Sequence, residues 1–231
     1  MFRLDLPVVL AYLGSAGAGC RSAPEPVVPE AAVVVDPAEI APWVAATLPP
    51  EHRVYRFKWL LRDERGSAGG KGAVRVAPPD SLRLDVAGPF GSGAASAVVV
   101  GDRAIWTEPA DAIARLVPNY PLMWAMFGVA RWPPEHAGVR ALSTPSTRAW
   151  QYAGASDTVE YSRPISGSGE FVAEVHQGGE LIGRAETTLD STGAPLKARL
   201  TVPSAPAQLD LTFLSITRDS FAPDLWTVRK P

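Results

Sequence analysis

A single cysteine in 231 residues excludes an intramolecular disulfide framework and any cysteine-rich zinc or iron–sulfur site. Histidine is almost as scarce. His52, His136 and His176 sit far apart with no paired-histidine motif, so no metal centre is expected. An excess of either charge is missing too, with 22 Lys and Arg against 24 Asp and Glu. That balance argues against nucleic acid or another polyanion as partner. No apolar run reaches the length of a membrane-spanning helix.

What is present is a hydrophobic fraction of 46%, an aromatic fraction of 8%, 20 Gly and 23 Pro without a collagen-like period. This is enough apolar material for one domain with a sizeable core. The scattered Gly and Pro suit many short strands joined by turns.

The lone cysteine stands in an informative place. Cys20 follows the apolar run Leu6 to Leu13 and the small-residue segment Gly14 to Gly19, the layout of a secretory leader. Small residues directly before a cysteine resemble the lipobox of bacterial lipoproteins, with residues 1–19 as the removed signal peptide and Cys20 as the acylated first residue. An ordinary secretory peptide with an incidental cysteine is the alternative, and both place the mature chain outside the cytoplasm. Residues 20–35 hold Pro24, Pro26 and Pro29 with no sustained period and read as a Pro-rich tether, reaching roughly 45 Å if extended. Arg21, where an Asp would signal inner-membrane retention in such lipoproteins, implies the outer membrane.

The folded domain is expected over 36–231. Asp36-Pro37-Ala38-Glu39 carries an N-cap, Pro at the first helical position and an acid at the third. Ile40, Trp43, Val44 and Leu48 continue at helical spacing. From Val54 the period changes to two: Tyr55, Phe57, Trp59 and Leu61 alternate with Arg56, Lys58, Leu60 and Arg62, giving a strand with an aromatic face and a mostly basic one. Gly66 to Gly70 reads as the following turn. Strands are expected over 73–77, 81–87, 95–100 and 103–107, then 147–153, 158–163, 170–176, 180–189, 196–202 and 209–216, about eleven in all. Between the fifth and sixth, Leu122, Met123, Trp124, Met126, Phe127 and Val129 are apolar around nearly the whole circumference of a helix, which must therefore be buried. The pattern predicts a mainly β (α+β) fold, an antiparallel barrel or sandwich with a leading helix and a helical lid or plug.

Catalytic constellations are absent from the pattern. Gly167-Ser168-Gly169 lacks the spacing and strand-to-helix setting of a nucleophile elbow. Gly88 to Gly93 joins two strands with neither a Lys nor a following helix, so it does not cradle phosphates. No enzymatic activity and no cofactor are expected. The surplus of apolar residues points instead to a ligand cavity or an inserted helix, since a curled sheet of about eleven strands encloses more volume than a small barrel packs with its own side chains.

Phe57-x-Trp59, Gly72 to Arg75, Pro79 to Arg83, Gly88 to Gly91 and Gly101 to Ala104, followed by the helical insertion and further hairpins, make the chain from Asp36 to Arg229 resemble the LolA/LolB-type lipoprotein carriers. The resemblance implies an open half-barrel of about eleven strands covered by helices, with acyl chains of lipids or lipoproteins held on its concave face. It implies a cavity from Tyr55, Phe57, Trp59, Leu84, Val86 and Trp106, a lid from Leu122, Trp124 and Phe127, and an exposed apolar loop residue at Phe90. A membrane-anchored, periplasm-facing lipid or lipoprotein carrier follows as the expected function, with a periplasmic carrier protein as a partner. A structural or sensory envelope lipoprotein, whose barrel is filled by its own helix and whose outer face binds a protein, is the alternative.

Overall fold

A computed structural model describes residues 26–88, 93–110, 119–154, 156–204 and 206–226. The expected signal peptide, Cys20 and Phe90 lie outside them. Thirteen antiparallel strands form one sheet: β1 (Val33–Val34), β2 (Arg53–Asp63), β3 (Gly66–Ala77), β4 (Ser81–Ala87), β5 (Ala94–Val100), β6 (Arg103–Glu108), β7 (Gly138–Ser143), β8 (Thr147–Ala153), β9 (Asp157–Pro164), β10 (Gly169–Gln177), β11 (Glu180–Leu189), β12 (Pro195–Val202) and β13 (Ala207–Arg218). Their order is β1-β7-β8-β9-β10-β11-β12-β13-β2-β3-β4-β5-β6. Two meanders, β2–β6 and β7–β13, are thus joined where the last strand pairs with the first long one, Leu211 opposite Trp59 and Phe213 opposite Phe57. The edges β1 and β6 do not pair with each other, so the sheet is an open half-barrel.

The helices lie on the concave face. α1 (Pro37–Ala45) starts with the expected capping box: Ala38 N–H donates to Asp36 Oδ1 at 2.8 Å and Asp36 N–H to Glu39 Oε1 at 3.2 Å. Ile40 and Val44 are its fully buried side chains. α2 (Tyr120–Ala125) is short, and every side chain from Leu122 to Phe127 is at most 4% exposed. An all-round apolar segment can sit only inside the core, and there it fills the half-barrel as a plug.

Three local features depart from the sequence reading. Gly66 to Gly70 is strand, not turn; the hairpin turns at Glu64-Arg65. The glycines serve cross-strand packing: a Cβ on Gly72 would lie 2.6 Å from the Phe57 ring, and one on Gly70 1.9 Å from Ala87 O. Bare backbone there lets the Trp59 indole cross β3 and donate from Nε1 to Ala87 O at 3.2 Å.

Strands β1 and β7 were not expected. β1 belongs to the segment read as tether, whose later part is docked: Val27, Val28 and Ala32 are buried against Ala149 and Val172 on the outer face. The Arg140 guanidinium donates to Glu30 O and Ala32 O, and β1 pairs with β7. Three apolar side chains in a Pro-rich run are enough to seat it.

The outer face also carries a charged cluster. Asp85 accepts from Arg75 Nη1 at 2.6 Å, Arg83 Nε at 3.2 Å and Ser96 Oγ at 2.9 Å, and Arg83 Nη1 donates onward to Leu225 O at 2.8 Å, fastening the C-terminal segment. Burial acts to raise the Asp85 pKa, but the Arg83 and Ser96 hydrogen bonds and the two guanidinium charges outweigh it, so the net direction is down. A lowered carboxyl pKa contributes stability that is present above the unfolded value and lost as pH falls through the folded one. Asp85→Asn is therefore expected to cost about 1.5–3 kcal/mol at pH 7. In urea titrations the gap to the parent chain should narrow below about pH 4; a gap that stays constant down to pH 2 contradicts the assignment.

Candidate apolar site

The concave face of β2 carries Arg53, Tyr55, Phe57, Trp59 and Leu61 in succession. Register extends it across Gly72, Val74, Leu84 and Val86 on one side and Leu209, Leu211 and Phe213 on the other. Against it lie Met123, Met126 and Phe127. Between sheet and plug remains a cavity of about 50 Å³ lined by Phe57, Trp59, Leu84, Val86, Met123, Met126, Phe127, Leu209 and Leu211. All are apolar side chains. The single polar group at hand, the Trp59 indole N–H, is already committed to backbone carbonyls.

The structure brings together four of the six expected cavity residues, Phe57, Trp59, Leu84 and Val86, with Phe127 of the expected lid. Tyr55 is one step along the same face, its ring 5.9 Å from that of Phe127. Burial pushes its hydroxyl up to about 12 against the pull of Arg53, so it is neutral at physiological pH.

Trp106 is not in the cavity. A bulge in the β5–β6 pairing sets Ala104 opposite Val99 but Trp106 opposite Val98. The extra residue, Ile105, reverses the alternation and turns Trp106 to the outer face. There its ring receives the Arg83 guanidinium at 5.3 Å.

Leu122 and Trp124 do not line the cavity either; they fix the plug. Gly183 makes room for Leu122, since a Cβ there would stand 2.7 Å from Leu122 Cδ1. Trp124 Nε1 donates to Gly101 O at 3.1 Å, and the Arg131 guanidinium lies 5.0 Å from its ring. Thr187 Oγ1 donates to Ala125 O at 2.8 Å, and Ala130 N–H to Thr47 Oγ1 at 2.9 Å. Met123, Met126, Leu209 and Leu211 are the lining residues outside the expected cavity and lid sets, although the two methionines belong to the segment read as a buried helix. The alternation Leu209-x-Leu211-x-Phe213 was a signal for the two leucines.

On the outer face, Glu160, Glu174 and His176 place ligand-type atoms within 4.8 Å of one another. Glu174 is engaged by the Arg184 guanidinium and by His176, and Glu160 Oε2 accepts from Val28 N–H. These bonds account for the cluster as part of the docking of residues 26–35. Burial, the largest influence, raises the Glu160 pKa.

No protein-family model matches the chain, and no curated protein matches it in sequence. Solved structures do match in fold. A LolA superfamily protein of Nitrosomonas europaea superposes with a TM-score of 0.53 at 10% identity, over 84% of this chain and 98% of the other. A domain of Vibrio parahaemolyticus, assigned to outer membrane lipoprotein sorting, gives 0.53 at 11% identity, over 82% and 95%. With its open antiparallel sheet, its helices on the concave face and these neighbours, the chain has the LolA/LolB-like fold.

Proposed function

We propose that this protein is a non-enzymatic carrier of the bacterial envelope, anchored through Cys20, facing the periplasm, and more suited to the outer than the inner membrane. It holds an acyl chain of a lipid or lipoprotein between its concave sheet face and the plug. The wholly apolar cavity between Phe57, Trp59, Leu84 and Val86 and the plug residues Met123, Met126 and Phe127 carries this reading. At about 50 Å³ it is far smaller than the few hundred Å³ of an occupied ligand pocket, so binding requires the plug to shift. Two of its three facing side chains are methionines, which repack readily. Burial of roughly 0.8 kcal/mol per methylene drives uptake, and the work of moving the plug keeps it reversible.

Native mass spectrometry of the Cys20→Ser chain isolated from bacteria tests the reading. Co-purifying species with acyl-lipid masses are expected; a ligand-free chain that also ignores added acyl probes overturns it. In membrane fractionation, Cys20→Ser should move the protein from the membrane to the soluble fraction, and unchanged partitioning contradicts the anchor.

A second reading has its own support. The plug is hydrogen-bonded to β11 through Thr187, to the start of β6 through Trp124 and to the segment after α1 through Thr47. This packing supports a permanently self-filled scaffold, whose outer face would be left to recognise a protein. A ligand-free spectrum selects it.

A further inference from the structure

We infer that the acyl ligand bears an anionic head, a carboxylate or phosphate, seated between Arg53 and Arg163. The inference rests on the acyl-chain reading and adds the chemistry of the head. A second hollow, about 300 Å³, opens between the segment after α1 (residues 46–50), the β11–β12 connection with the first residue of β12 (192–195) and the start of β2. Its apolar floor includes Tyr55, Phe127 and Ile216, and Arg53 and Arg163 stand in its walls.

Phe127 lines both this hollow and the apolar cavity. Its ring centroid lies 5.9 Å from that of Tyr55, 6.1 Å from Phe57 and 6.0 Å from Phe213. One aromatic ring is therefore the partition between a cationic mouth and an apolar interior. It is followed by Gly128 at φ +78°, a conformation that glycine adopts freely. Along the inner face of β2 the series Arg53, Tyr55, Phe57, Trp59 runs from charge to hydrocarbon at two-residue spacing, the polarity of an amphiphile laid head to tail.

Neither arginine has a carboxylate to itself among the described residues. Arg53 Nη2 meets Glu51 Oε1 at 2.8 Å, but that carboxylate is shared with Arg218 at 2.6 Å. Arg53 Nε is enclosed and has no hydrogen-bond partner among the described residues. Arg163 Nη1 donates to Ala46 O, and no carboxylate pairs with it among the described residues. It lies opposite Arg148 in the β8–β9 register. Burial first, and then the Arg148 charge, lower the Arg163 pKa, which is the signature of a cation short of a counter-charge. Asp190, the carboxylate at the facing turn, is occupied by Thr192 and by the Ala194 amide. An anion entering between Arg53 and Arg163 would complete both, with charge-assisted hydrogen bonds in a partly desolvated site.

Calorimetric titration of the Cys20→Ser chain at pH 8, below micelle-forming concentrations, tests this with one chain length and several heads: dodecanoate, dodecyl phosphate, dodecanol and dodecyltrimethylammonium. Acetate and inorganic phosphate serve as free anions. At least one of the two anionic amphiphiles should bind ten times or more tightly than dodecanol, with the trimethylammonium head weakest. In Arg53→Gln/Arg163→Gln that ratio should fall to near one, whereas Arg163→Lys should keep part of it. Equal binding of anionic heads and dodecanol overturns the head assignment and leaves the acyl reading standing. Free anions binding as tightly as the amphiphiles also overturn it. Failure of every twelve-carbon probe overturns both readings together.

Discussion

Trp124→Ala is expected to destabilise the protein by about 3–5 kcal/mol, the range for emptying a large buried aromatic site. Trp124 is fully buried in the plug, and its removal has three consequences at once. The core loses a large apolar surface and gains a void that the curved sheet cannot collapse to fill. Gly101 O loses the indole N–H at 3.1 Å. Arg131, only 7% exposed and 3.5 Å from Asp102, loses the ring its guanidinium packs on, a cation–π contact of about 1–2 kcal/mol when desolvated. For a domain of this size such a loss lowers Tm by roughly 10 °C or more. Trp124→Phe keeps most of the packing and should cost about 1–2 kcal/mol, chiefly the hydrogen bond and part of the stacking. Urea unfolding separates the two variants; an Ala variant within 1 kcal/mol of the parent would mean that the plug is not part of the cooperative core.

Val86→Phe is expected to abolish acyl-chain binding, at least tenfold by titration with dodecanol, while changing stability by less than about 1 kcal/mol. Val86 stands at the cavity rim beside Gly72, where a Cβ would approach Val86 Cγ1 to 3.0 Å. Without that Cβ, a ring at position 86 has room to turn into the cavity and take the ligand's place. Filling an apolar void recovers contacts that the native core lacks, so the effect on folding is small and the effect on binding large. A Val86→Phe chain that still takes up dodecanol at parental affinity would move the binding site away from this cavity. The pair of variants also separates the two readings of the protein: both predict that Trp124→Ala unfolds it easily, but only the carrier reading predicts any ligand effect at position 86.

Much of this architecture was legible in the sequence because period-two alternation is a direct image of a half-buried antiparallel strand. Tyr55, Phe57, Trp59 and Leu61 announce their shared face, and Asp36-Pro37-x-Glu39 its helix start. The all-round apolar Leu122 to Val129 announces burial, though not what it is buried against. Alternation fails where one residue breaks it, and the bulge at Ile105 moved Trp106 to the opposite face with no composition change to betray it. It also fails where glycine stands in a strand for packing reasons, since Gly66 to Gly70 looks like a turn until the Trp59 ring that crosses the strand is in place. Strand β7 does not stand out because Leu142, packed on the outer face against the docked segment, blurs the alternation of Val139 and Ala141. Arg53 and Arg163 lie 110 positions apart, and only the curl of the sheet and the segment after α1 bring them to one mouth.

The docked stretch from Val27 to Val34 sets the length of the leash. A fifteen-residue tether would let the domain roam roughly 45 Å from its anchor, but only five residues separate Cys20 from Pro26 at the edge of the docked stretch, at most about 20 Å of chain. With the proposed acyl anchor on Cys20, the domain would be confined to a shallow layer above the headgroups and attached by one side, the outer surface of β8 to β10. A bilayer lipid would then meet the half-barrel at a high effective concentration. Lengthening the leash between Cys20 and Pro26 with a flexible insert would dilute that encounter without touching a single residue of the site.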